Sequence, residues 1–71
     1  MKPFYYVTYR HVAGGAEKKV VIQQPTEELA KVGLALKVFK ESVLVVGSSK
    51  ANKLAMSSVC NIEKIEGIGG E

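Results

Sequence analysis

The sequence predicts a small α+β domain: an antiparallel-rich sheet in the order β-β-α-β-β, with one helix packed on one face. Three observations carry this expectation. Two runs rich in aromatic and β-branched residues flank a Gly-Gly junction. A Pro-Thr-Glu-Glu start signal follows them, and two further apolar runs are set apart by turn chemistry. With 71 residues there is room for one domain, expected over 1–66, with 67–71 as a flexible tail.

The first strand is expected over 4–12, where Phe4, Tyr5, Tyr6, Val7, Thr8 and Tyr9 suit a pleated surface. The second is expected over 18–23, around Val20, Val21 and Ile22. Gly14-Gly15 between them can supply the positive φ angles of a hairpin loop. Pro25 keeps Gln24 out of the α region, and the Thr26 hydroxyl can accept from a free amide of the first helical turn. Glu27 and Glu28 then sit at the positive end of the helix dipole. The helix is expected over 26–40, although 34–39 also reads as a strand and Gly33 weakens a helix interior. Val43-Leu44-Val45-Val46 predicts a short buried strand over 42–48, Gly47 to Lys53 a turn, and 54–65 a final strand.

Strand side chains alternate between faces, so Tyr5, Val7 and Tyr9 oppose Phe4, Tyr6, Thr8 and Arg10. The first set is expected inward, because the second would bury Arg10. On the helix, Leu29, Val32, Ala35, Leu36 and Phe39 form one broad apolar face, and Leu34 and Val38 fall outside it. A helix apolar on two sides packs on two sides, which makes Leu34 and Val38 the candidates for self-association as a homodimer. Small chains need such a supplement, and a single cysteine leaves no intrachain disulfide.

Composition excludes several functions. All seven acidic residues are Glu, which removes Asp-based calcium loops, magnesium sites and triads. One Cys and one His leave no zinc cluster, so no metal and no cofactor is expected. No run suits a membrane span, and Thr8 to His11 break any signal-peptide core after the apolar start. The expectation is a soluble, cytoplasmic chain without membrane contact or small-molecule substrate. The formal charge of +3 comes from ten Lys and Arg residues dispersed along the chain, not from a basic stripe.

The remaining motifs carry little chemistry. Gly47-Ser48-Ser49-Lys50 resembles a phosphate loop but lacks its first glycine, and Ala51 follows the lysine. Cys60 and His11 could form a nucleophile–base pair, but Cys60 lies in a strand pattern where cysteine acts as a small buried hydrophobe. Adjacent Glu27 and Glu28 point about 100° apart on a helix and suit dipole compensation, not paired acid–base work. No catalytic residue is therefore assigned. Phe4, Tyr6, Arg10, Lys18 and Lys19 form the candidate partner-binding set on the hairpin, where rings beside cations can stack bases and neutralise phosphates. The expected function is a small non-enzymatic regulatory module that binds a protein partner through an exposed sheet or helix face. The alternative is a nucleic-acid-binding module using the hairpin.

Overall fold

The computed structural model describes residues 3–69. Strand β1, Phe4–Arg10, turns through a tight loop into β2, Glu17–Ile22. Gly14 holds φ +78° there, and the Gly15 amide donates to the Val12 carbonyl at 3.0 Å. Such a turn requires positive φ at its third position, which glycine adopts without strain. A long helical element α1, Glu27–Cys60, leads into β3, Ile62–Ile68. The sheet order is β2-β1-β3, with β1 central and antiparallel to both neighbours.

The expected β-β-α-β-β order is corrected to three strands among the described residues. Residues 42–46 continue the helix, and residues 54–60 are helical as well. An established helix adds residues cheaply, so a β-branched run can be carried along. The helix stops at Gly47, whose φ of 85° and ψ of 165° lie in a region that is essentially glycine's alone. Residues after it resume helix and fold back. Lys31, Val32 and Ala35 line one shallow depression together with Met56, Val59 and Cys60. On a straight helix, residues 35 and 56 would stand about 30 Å apart. The last strand begins only at Ile62, after Asn61 closes the helix. Its amide and its Nδ2 each donate to the Ser57 carbonyl at 2.9 Å. Gly67 and Ile68, expected in the tail, pair with Tyr5 and Phe4 as part of β3. Residues 70 and 71 of that tail lie outside the described residues.

Thr26 caps α1 as expected: it is extended, and its hydroxyl accepts from the Leu29 amide at 3.2 Å. The inward face of β1 is also as expected, with Tyr5, Val7 and Tyr9 buried. The helix face is not. Ala30, Leu34 and Val38 meet the sheet, while Leu29, Val32 and Leu36 point to solvent. Small residues explain the choice. A Cβ on Gly33 would come within 2.8 Å of Ile22 Cγ2, so the helix lies closer to β2 than any side chain at 33 would permit. The returning segment closes the layer with Ala51, Ala55 and Ser58, all buried and spaced as one face of a helix.

Candidate interaction surfaces

The cross-strand register decides which hairpin residues share a face. Phe4 pairs with Ile68, Tyr6 with Val21 and Glu66, Thr8 with Lys19 and Lys64, and Arg10 with Glu17. The outer sheet face therefore has an apolar end, formed by Phe4, Tyr6, Val21 and Ile68. Its other end is charged. Arg10, Lys19 and Lys64 there face Glu17, Glu63 and Glu66, three cations against three carboxylates. Lys18 does not join this group: it pairs with Tyr9 and so lies on the helix-bearing side. The structure thus brings together Phe4, Tyr6, Arg10 and Lys19 and separates Lys18 from them.

Arg10 is fully engaged within the chain. Its Nε donates to Glu63 Oε2 at 2.6 Å, and its guanidinium also donates to the Gly15 carbonyl. The hydrogen bond and the charge of Glu63 raise its pKa further, so it stays cationic. A bulge in β3 makes this possible: the register slips between Thr8 and Tyr9 and frees Glu63 from regular pairing.

Leu34 and Val38, the expected self-association residues, are fully buried against the sheet and are corrected to core positions. In its first turns α1 exposes Leu29, Val32 and Leu36, joined by Met56 from the returning segment. Val32 and Met56 line the same shallow depression, where Lys31 supplies the charge. The broad apolar face expected on the helix is split: Ala35 and Phe39 pack partly buried against the core, and Leu29, Val32 and Leu36 are exposed.

A second exposed region lies at the helical corner. Leu44 is 94% exposed and Val45 81%, the most exposed large apolar side chains among the described residues. The 20 residues of the first segment span about 30 Å, against about 23 Å for a seven-residue strand. The corner therefore projects past the sheet, and the molecule is 39 Å long but 22 and 15 Å across. Sequence reasoning placed these residues in a buried strand, so the tip was missed.

The chemically reactive groups do not converge. His11 Nδ1 lies 3.0 Å from Ser58 Oγ, a hydrogen bond, and the His11 ring stands edge-on to Tyr9 with centroids 5.5 Å apart. Ser58 is fully buried, so this bond satisfies a core hydroxyl and offers no nucleophile to a substrate. Cys60, expected as a buried strand residue, is exposed at the end of α1, and His11 bonds Ser58 instead of it. Gly47-Ser48-Ser49-Lys50 forms the helical corner and not a loop after a strand. No group of three potential metal ligands occurs among the described residues. Compared with known protein families, curated protein sequences and solved structures, the chain matches none.

Proposed function

We propose that the protein is a small non-enzymatic interaction module that binds a protein partner across the outer side of its helical layer. The observation that supports this reading is the exposed stripe Leu29, Val32 and Leu36 with Met56 beside it. These large side chains recur on one side of the helix, while Ala30, Leu34 and Val38 are buried in the core and Ala35 and Phe39 pack partly buried against it. A contiguous exposed apolar surface of this kind marks an interaction site. Methionine suits such a site because its flexible side chain adapts to the surface it meets. The hairpin supports nucleic-acid binding less well, since its outer cations are matched by Glu17, Glu63 and Glu66.

The test is affinity capture from the source cell, with and without nuclease, using the wild-type chain and Leu36→Glu. Leu36 is exposed, so the substitution leaves the core intact. A specific protein should remain bound to the wild type after nuclease treatment and be lost with Leu36→Glu. A second copy counts as such a partner, read directly by sedimentation. Equal capture by both chains removes the helical face from consideration, and loss of all binding after nuclease replaces the reading with the nucleic-acid one.

A further inference from the structure

The lysines are spread along the chain, but the net charge falls within one segment, which the fold turns into a corner. Residues 37–53 carry Lys37, Lys40, Lys50 and Lys53 against Glu41 alone, which is 4 − 1 = +3. The other six Lys and Arg residues are matched by six Glu, so the tip holds the entire formal charge of +3. Lys37 is paired with Glu41 at 3.1 Å, which leaves Lys40, Lys50 and Lys53 as exposed cations around the corner. Within this collar stand Leu44 and Val45. Lys40 lies one turn before Leu44. On the other side, Val12, Val46 and Leu54 line a shallow apolar trough together with Lys50, Lys53 and Ser57.

We propose that this lysine-collared tip docks on an anionic lipid surface, with Leu44 and Val45 entering the interfacial region and Lys40, Lys50 and Lys53 at the headgroups. Leu44 and Val45 themselves stand out from the corner, so a protein would have to supply a pocket for them, whereas a lipid surface deforms around them. A second copy brings a like charge of +3 to the same place and is repelled. Nucleic acid would meet the lysines but gains nothing from aliphatic side chains that cannot stack on bases. A surface that is both anionic and apolar beneath satisfies both halves of the tip, and shallow apolar insertion combined with basic residues is the general logic of peripheral binding. No helix among the described residues is long and apolar enough to cross a membrane, so the contact is with the surface. This site is separate from the Leu29–Val32–Leu36 stripe and does not depend on what that stripe binds.

The chain contains no tryptophan, which makes a single introduced indole a clean reporter. Leu44→Trp places it at the tip, and Val21→Trp places it on the outer sheet face as a control, both at exposed positions. Each is titrated with vesicles of phosphatidylcholine alone and of phosphatidylcholine mixed with phosphatidylserine. The Leu44→Trp emission should shift to the blue with the anionic vesicles only, the shift should fade with added salt, and the Val21→Trp emission should not move. Lys50→Gln with Lys53→Gln should weaken vesicle partitioning by roughly 10- to 30-fold, since each lysine near such a surface contributes about fivefold. Val45→Ser should weaken it as well. No shift with anionic vesicles overturns the proposal. So does an equal shift with neutral vesicles, an equal shift of both reporters, or tighter binding of the same tip to duplex DNA.

Discussion

Leu34 and Leu44 lie ten residues apart on one helical segment, and the structure treats them oppositely. Leu34 is fully buried between the helix and the sheet, in contact with a core built from Tyr5, Val7, Tyr9 and Ile22. Leu44 is almost wholly in solvent. The local chemistry of the two stretches is similar: both are aliphatic and helical, the first interspersed with lysine and the second flanked by it. What differs is the ground beneath them. The sheet is shorter than the segment, so the proximal part has something to pack on and the distal part has nothing. An apolar run is therefore a requirement for burial in one place and a surface property in the other.

Shortening both leucines measures that contrast directly. Leu34→Ala should cost about 2–5 kcal/mol of stability through lost burial and the cavity left behind. Leu44→Ala should change stability by about 0.5 kcal/mol or less, as for surface positions generally. Chemical denaturation of both variants checks the pair. Comparable losses would mean that the tip is covered within the folded chain.

The corner between the two stretches is the next largest effect. Gly47 has no neighbour within 4 Å of an added Cβ, so Gly47→Ala meets no clash and only backbone strain. That strain should lower stability by about 1–3 kcal/mol, with the helical circular dichroism retained. An unchanged melting temperature would show that the chain bypasses this conformation by running straight through.

A smaller effect concerns pH and the proximal side alone. Burial raises the Tyr9 pKa above its ordinary value of 10.0, and the charge of Glu41 adds to this while Lys37 opposes it. The folded state thus favours the neutral phenol. Its contribution is fully present below the unfolded pKa and is lost as pH rises through the folded one, when the unfolded chain already carries the phenolate. Stability should therefore fall in the alkaline range above about pH 10. Replacement by Phe at position 9 should flatten that fall, and a denaturation series in pH would show whether it does.

Local rules were sufficient where the chain interacts with itself at short range. The hairpin follows from Gly14 at its positive φ, the start of α1 from the Thr26 hydroxyl and the Leu29 amide, and the inward face of β1 from the alternation of Tyr5, Val7 and Tyr9, although Thr8 on the other face is buried as well. Each depends on neighbours a few residues away, which the order of amino acids contains. The spacing of Ala51, Ala55 and Ser58 is that of one helix face, but such small residues carry little apolar signal, and the sequence reads as a turn followed by a strand over 54–65.

Two properties depended on the assembled layers. Which side of α1 meets the sheet was decided by how closely Gly33 and Ala30 let the backbone approach β2, not by the number of large apolar residues on each side. Close approach over small residues made the narrower stripe the core, and released Leu29, Val32 and Leu36 to solvent. The distribution of charge was decided by pairing across strands and by the corner at Gly47. Cross-strand register set Arg10, Lys19 and Lys64 against Glu17, Glu63 and Glu66, and the fold-back gathered Lys40, Lys50 and Lys53 around one end. The excess of positive charge over residues 37–53 is already present in the sequence; the fold-back at Gly47 decides that Lys40 shares one end of the molecule with Lys50 and Lys53, because only a turned backbone brings the two segments side by side.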